Sequence, residues 1–376
     1  MAPQRRIRAV FMRGGTSNAV IFRREDLPPD RVDWDSIFTA ALGSPDRNGR
    51  QLDGMGGGIS SLSKVCVVGP STRDDADLEY TFGQVPVDGT RVDYSGNCGN
   101  MSSAIGPFAV EEGMVHVDPL ATGIHVRIFN TNTDRIIHAT FPVKDSLPVV
   151  SGDLAIDGVA GTGAPIRLDF ISPGGSKTGR LLPTGCAVDH LDVPGGSIEA
   201  SIVDASNPCV FIAAVSVGLV GNESPFELDG RIELLGRLEA IRRGAAVAMG
   251  LATDPAQTPS SVPKIAMVAP PLDGVTLDGR TLAAEEVDVT VRMLSVGRPH
   301  RAVPVTGALC TAAAARVPGT LPHRMLGVPS GTGIRVGHPS GVLLVDAVTT
   351  PDGGIESASL YRTARRMFEG NVVIRA

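Results

Sequence analysis

Apolar positions along this chain fall in short blocks cut by glycine, proline and polar turns, and only rarely at helical spacing. Ile7, Val10 and Phe11 lead into Arg13-Gly14-Gly15-Thr16-Ser17 and then Ala19-Val20-Ile21-Phe22, which predicts strand, turn, strand. A short helix is expected around Trp34 to Leu42, followed by strands at 65–69, 78–83 and 90–95. A helix should open near Cys98 and be kinked or ended at Gly106-Pro107. Strand-like pieces recur around 114–118, 124–130, 137–143 and 164–171. The glycine- and proline-rich run Gly174 to Gly185 is the candidate crossing between halves.

The second half reads as strands at 198–204 and 209–217, a helix from Ser224 to Met249, and strands at 264–269, 286–295 and 302–305. Thr306 to Arg316 then repeats the strand, glycine turn and small-residue helix met at Cys98. Neither small-residue helix has the large side chains of an amphipathic surface helix. Each is expected to be a slim helix enclosed by strands, one per lobe. The expected lobes are residues 1–184, completed by a C-terminal strand at about 366–376, and residues 185–365.

Composition narrows the class. A chain of 376 residues exceeds one ordinary core. With 45 glycines and 28 prolines it suits many short strands, and the expected class is α+β. A net charge of −6 argues against nucleic acid as a partner. The most apolar run, Pro208 to Val220, is too short for a membrane span. Arg13 interrupts any leader-type apolar stretch near the N-terminus. Five widely spaced cysteines without a CxxC motif suggest reduced thiols in the cytoplasm, and the scattered histidines suggest no metal.

Two segments carry candidate chemistry. In Asp93-Tyr94-Ser95-Gly96-Asn97-Cys98-Gly99-Asn100-Met101 a thiol is set at a helix N-terminus, where unpaired N–H groups and the helix dipole favour thiolate and bound anion. The other reading is a small residue at a crowded helix start. In Gly54-Met55-Gly56-Gly57-Gly58-Ile59-Ser60-Ser61-Leu62-Ser63-Lys64-Val65 a glycine loop and serine cluster end on a lysine before an apolar strand. The chain has only four lysines, Lys64, Lys144, Lys177 and Lys264, against thirty arginines. A desolvated lysine can release a proton near neutral pH and an arginine cannot. Lys64 is therefore either a proton carrier or a strand-end lysine reaching for water. The glycine run lacks the spacing of a nucleotide loop.

With these residues in place, the chain resembles the family of 2-methylaconitate cis-trans isomerases, methylitaconate isomerases and 4-oxalomesaconate tautomerases. The resemblance runs nearly end to end. It rests on Phe11 to Ser17, Asp53 to Gly57 with Ser63-Lys64-Val65, and Ser95 to Asn100, joined by Leu181 to Gly185, Asp204 to Pro208, Thr306 to Ala315 and Gly337 to Gly341. It implies the diaminopimelate-epimerase-like fold, two lobes that are each a curled mixed sheet around a central helix, with the active site in the cleft between them. It further implies cofactor-free proton transfer on a small anionic di- or tricarboxylate, with Lys64 as base, Cys98 as the opposite acid/base partner, and a possible homodimer.

Substrate contacts are then expected from Thr16, Ser17, Asn18, Ser60, Ser61, Asn97, Gly99, Asn100 and Met101 in the first half. Asn207, Thr306, Gly307, Ala308, His338 and Ser340 are expected to supply them in the second. Backbone N–H groups at Gly99-Asn100 and Gly307-Ala308 would receive the charge that develops on the substrate. His338 reads equally well as a loop brace. Basic residues in these segments are few, chiefly Lys64 and Arg13. Three departures from the family pattern leave the substrate open: Thr306 where amino-acid epimerases of this fold carry cysteine, Asn18 where relatives often have a basic residue, and Gly57-Gly58-Ile59 in the glycine loop. Two other readings stand beside the isomerase: an epimerase or racemase of the same fold, which Thr306 disfavours, and a non-catalytic tricarboxylate-binding accessory protein.

Overall fold

The computed structural model describes residues 4–193, 196–259, 262–295, 297–327 and 333–375. The chain forms two compact units, residues 1–169 with 361–376, and residues 170–360.

The first unit contains β1 (Gln4–Gly14), β2 (Ser17–Arg23), helix α1 (Trp34–Leu42), β3 (Lys64–Pro70), β4 (Leu78–Gln84), helix α2 (Gly99–Glu111), β5 (Gly123–Asn130) and β6 (Arg135–Lys144). Successive strands pair antiparallel, parallel, antiparallel, parallel and antiparallel. The C-terminal strand Ala364–Arg375 pairs antiparallel with β1. β3 is a continuous apolar run because both of its faces are covered. β6 buries every second residue, Ile137, Ala139, Phe141 and Val143, as a half-buried strand should. On one face α1 packs Trp34, Ile37, Phe38 and Leu42 against Val20, Phe22, Val65 and Val67.

Helix α2 is buried from Met101 to Val110. Its small residues admit close strands: a Cβ on Gly106 would sit 2.7 Å from the Phe141 ring. The helix runs through Pro107 to Glu111 instead of ending there. Burial on all sides outweighs the one hydrogen bond that proline removes. Glu111 and Glu112 lie at the negative end of α2, where the helix dipole disfavours them. Arg366 of the C-terminal strand offsets this with contacts of 2.7 Å and 2.6 Å to the two carboxylates.

The second unit repeats this order. Its elements are β7 (Gly196–Ala205), β8 (Asn207–Ala213), helix α3 (Ile232–Ala248), β9 (Lys264–Ala269), β10 (Val289–Ser295), helix α4 (Val305–Arg316), β11 (Ile334–His338) and β12 (Gly341–Thr349). Their pairings are again antiparallel, parallel, antiparallel, parallel and antiparallel. α3 covers one face through Leu238, Ile241 and Ala245. The alanine-rich α4 is buried from Gly307 to Ala315. The weak echo between the two small-residue segments thus marks a repeat of the whole ββαββαββ unit.

Several sequence expectations need correction. Residues 90–95 form only a bridge at Asp93, because side chains hold the segment: Asp35 accepts from the Val92 N–H (3.1 Å) and the Tyr94 hydroxyl (2.8 Å). Residues 114–118 are irregular, with Met114 bonded back to the Ala109 carbonyl (2.8 Å) beyond the end of α2. The stretch 224–249 is two helices, since the Ser224–Glu227 capping box starts a short turn over Pro225–Asp229 that stops at Gly230. No strand forms at 302–305, because Pro304 caps α4 and Val305 already belongs to it.

Candidate active site

In the first unit the site is built from the ends of elements. The β1–β2 hairpin turns at Gly15-Thr16, with Gly15 at φ +52°. α2 starts at Gly99, with Cys98 as its N-cap in an extended conformation (φ −106°, ψ 99°). The Cys98 side chain makes no capping bond, and its carbonyl accepts from the Ser102 N–H at 3.0 Å. The N–H groups of Gly99, Asn100 and Met101 precede that first helical bond. The Met101 side chain is fully buried against Gly14, so only its backbone is left to meet a ligand.

Lys64 begins β3 and is 7% exposed. Its Nζ donates to Gln84 Oε1 at 2.6 Å and lies 5.2 Å from the Phe82 ring centroid. Gln84 is itself fixed, because its Nε2 donates to the carbonyls of Ser60 (3.1 Å) and Ser63 (2.9 Å). That leaves only its oxygen for the lysine. Among the described residues Lys64 forms no ion pair. The fully buried Cys66 links the two candidates: its thiol is pushed up by burial and by the charge of Cys98, and drawn down by the Lys64 ammonium.

The glycine loop is pinned from within. Gln51, wholly buried, accepts from the Gly58 N–H at 2.9 Å and from the Ser63 hydroxyl at 2.5 Å. Ser63 is thus a brace, while Ser60 is exposed and Ser61 half-buried. Ser17 is buried at the start of β2, next to the half-buried Asn18.

Sequence reading missed Arg362, a basic group close enough to Cys98 to feel its charge. It is 6% exposed, and its Nε donates to Asn100 Oδ1 at 3.0 Å. Asn100 in turn donates from Nδ2 to Thr16 Oγ1 at 3.1 Å. Burial brings the guanidinium down to about 10, against the pull of Cys98, which favours its charge. Among the described residues Arg362 has no carboxylate partner, its other bond being to the Tyr361 carbonyl at 2.9 Å. Arg13, by contrast, is spent on the backbone carbonyls of Gly15 (2.9 Å) and Thr363 (3.0 Å). Among the described residues Asn97 Oδ1 is buried without a hydrogen-bond partner, an acceptor open to a bound donor.

The remaining expected residues belong to the second unit. Asn207 starts β8, its turn made by Ser206 at φ +63°. The buried Asp204 holds residues 176–178 beside that turn by accepting from Ser176, the Lys177 and Thr178 N–H groups (2.8 Å each) and the Thr178 hydroxyl (2.9 Å). Thr306 is half-buried in the first turn of α4. The Ala308 N–H is bonded to the Pro304 carbonyl at 2.8 Å, so it is not a free donor as expected. The helix begins one residue earlier than the sequence suggests, and the free N–H groups shift to Val305, Thr306 and Gly307. His338 braces its own turn, accepting from the Ser340 N–H at 3.1 Å, while the Ser340 hydroxyl donates to the Arg301 carbonyl at 2.6 Å. Cys209 and Cys310 are buried. No described group of three His, Cys, Asp or Glu is arranged for a metal ion, and no described helix is long and apolar enough to cross a membrane.

Comparison with known proteins gives this geometry a family. The chain is 41% identical to 3-methylitaconate isomerase of Eubacterium barkeri, over 100% of this chain and 98% of that protein. It is 38% identical to 2-methyl-aconitate isomerase of Shewanella oneidensis, over 98% and 97% of the two chains. The crystal structure of a methylitaconate-delta-isomerase superposes with a TM-score of 0.90 at 40% identity, covering 99% of this chain and 96% of that one. A hydroxyproline epimerase from Agrobacterium vitis shares the fold at 12% identity, with a TM-score of 0.53 over 100% and 95% of the chains. The fold is that of the diaminopimelate-epimerase-like α+β proteins. Residues 4–375 match the PrpF protein family, and with full-length curated isomerases at this level of identity the chain belongs to that family of isomerases.

Proposed function

We propose that this isomerase moves a proton on an unsaturated di- or tricarboxylate without a cofactor, with Lys64 as base and Cys98 as partner acid/base. The observation that carries the reading is the setting of Lys64. Its amine is buried and held by a neutral amide oxygen at 2.6 Å, with no carboxylate partner among the described residues. The Gln84 amide fixes the direction of the amine without tying it into an ion pair, which is the placement a general base needs to meet its substrate. The names of the curated relatives, which act on methylitaconate and 2-methylaconitate, support the substrate class.

The chemistry follows from that class. A C–H next to a conjugated carboxylate is weakly acidic, and its removal gives a dienolate whose charge spreads onto the carboxylate oxygens. The N–H groups of Gly99, Asn100 and Met101 are fixed donors for such an oxyanion. Arg362, held by Asn100, supplies positive charge for a carboxylate, and Thr16 closes that row. Return of the proton at the far allylic carbon shifts the double bond. Return at the original carbon after rotation gives cis-trans isomerisation.

The test is solvent exchange. Purified protein in deuterated water, given a panel of unsaturated di- and tricarboxylates, should place deuterium at the allylic carbon of its substrate. Lys64→Arg keeps the charge and should slow exchange by about 10²-fold or more. Exchange by Lys64→Arg at the wild-type rate rules out Lys64 as base, and absence of exchange with every acid rules out the reaction.

A further inference from the structure

The glycine loop before Lys64 is folded around one side chain of its own. Gln51 is wholly buried and sits at φ +53°, a conformation that residues other than glycine rarely adopt. Asp46 Oδ2 accepts from its backbone N–H at 2.6 Å. Its carboxamide reaches three segments. Nε2 donates to Ser44 Oγ at 2.9 Å, and Oε1 accepts from the Gly58 N–H at 2.9 Å and the Ser63 hydroxyl at 2.5 Å. A Cβ on Gly56 would lie 2.3 Å from Gln51 Oε1, so glycine there leaves room for the amide. An amide buried this completely, on a backbone held in the left-handed region, is costly to keep unless its bonds serve something.

Those bonds lead to Lys64. Ser63 directly precedes the lysine and is fully buried. Gln51 holds its hydroxyl, and Gln84 Nε2 holds its carbonyl at 2.9 Å. The same Nε2 donates to the Ser60 carbonyl at 3.1 Å. An amide nitrogen has two hydrogens, and with both on loop carbonyls the Gln84 oxygen is turned to Lys64 Nζ at 2.6 Å. A second route ties the same ends: the Ser44 hydroxyl donates at 2.7 Å to the carbonyl of Pro86, two residues beyond Gln84. Gln51, Ser63, Gln84 and Lys64 all belong to the first unit. Among the described residues Gln51 makes no hydrogen bond to Lys64 itself, so it can act on the amine only through this row.

We propose that Gln51 is a positioning residue for the base: it fixes the glycine loop so that Gln84, and through it the Lys64 amine, points in one direction. The inference rests on the proposed function for the role of Lys64. It gives Gly56 and Gly58 a role apart from any ligand, since one makes room for the Gln51 amide and the other donates to it. A base that loses its direction slows the chemical step and leaves the groups that bind substrate in place.

The test uses full-length protein and two readouts. Gln51→Met and Gln84→Met keep the side-chain volume and remove the amides. In the deuterium assay each should lower kcat about tenfold or more, with KM changed far less. Residues acting in one row are not additive, so the double variant should be about as slow as the slower single one. The second readout needs no substrate. Lysine labelled with 13C at Cε gives signals from only four residues, and Lys64→Arg identifies that of Lys64. An amine held in one direction has two inequivalent ε protons. They should differ in wild type and merge in Gln51→Met, while the Lys144 signal stays in place and reports a folded first unit. If Gln51→Met does not fold, Ser63→Ala removes a single hydroxyl of the row and should merge the same protons. Losses in kcat that multiply in the double variant overturn the proposal. So do ε protons that are equivalent in wild type, or that stay inequivalent in the folded variant. If they merge as expected but wild type exchanges no proton with any unsaturated acid, the proposed reaction fails and the positioning of Lys64 by Gln51 stands.

Discussion

Arg362 donates from Nε to Asn100 Oδ1 at 3.0 Å, joining two residues 262 positions apart at the start of helix α2. The arrangement costs stability, because a buried guanidinium without an acidic partner among the described residues gives up hydration that its two hydrogen bonds, to Asn100 and the Tyr361 carbonyl, repay only in part. An anion that arrives with the substrate would repay it. Arg362→Met should therefore raise KM about tenfold or more, the scale of a lost charged hydrogen bond of ~1.5–3 kcal/mol. Its melting temperature should stay within a few degrees of wild type. Steady-state kinetics with thermal melts check this, and a large stability loss at unchanged KM would make Arg362 structural only.

The same contact depends on Gly15. Its φ of +52° favours glycine, and a Cβ there would lie 2.2 Å from Asn100 Oδ1 and 3.1 Å from Arg362 Cδ. Gly15→Ala should displace the Asn100 amide and uncouple the arginine. We expect a stability loss of about 1–3 kcal/mol from the strained backbone, together with a rise in KM like that of Arg362→Met. Urea unfolding and kinetics read the two effects separately. A variant that loses stability but keeps wild-type KM would show that the Asn100–Arg362 bond does not serve binding.

Thiol labelling tests Cys98. Cys66, Cys209 and Cys310 are buried, Cys98 is half-buried at a helix N-terminus, and Cys186 is exposed. Iodoacetamide should label Cys98 and Cys186 first, and substrate should protect Cys98 alone. Peptide mapping by mass spectrometry distinguishes them. Labelling of Cys98 that is indifferent to saturating substrate would remove it from the site.

How far the sequence reveals this molecule depends on whether a feature is local. The β1–β2 hairpin, α1 and the strand after Lys64 follow from apolar blocks and turn residues close in sequence. Cys98 and Lys64 stand out because a glycine-flanked thiol and a rare lysine are local signals. Arg362 is one arginine among thirty, in a strand far from Asn100, so nothing local sets it apart. Gln84 is an unremarked strand-end residue until pairing brings it opposite Lys64. The false strand at 90–95 has the opposite cause. Its alternation is real, yet Asp35 and Asn132 take up its backbone groups in place of a ladder.

His300 should make stability depend on pH in a predictable direction. Burial, reinforced by the Lys264 ammonium, holds its imidazole below the ordinary value of 6.5. The Ala302 N–H donates to His300 Nδ1 at 3.0 Å, a bond that needs that nitrogen unprotonated. As pH falls below 6.5 the unfolded chain takes up this proton before the folded chain does. The contribution of the neutral imidazole is thus complete above about 6.5 and lost progressively below it. His138, lowered by burial and by His125, adds a similar slope, so wild type alone does not isolate the effect. His300→Asn retains an acceptor and cannot titrate. Its stability, from urea unfolding between pH 7.5 and pH 5, should fall less steeply than that of wild type. Lys264→Met should narrow the window from the other side, because removing the neighbouring charge lets His300 protonate closer to 6.5. Parallel slopes in wild type and His300→Asn would show that His300 does not titrate in the folded protein over this range.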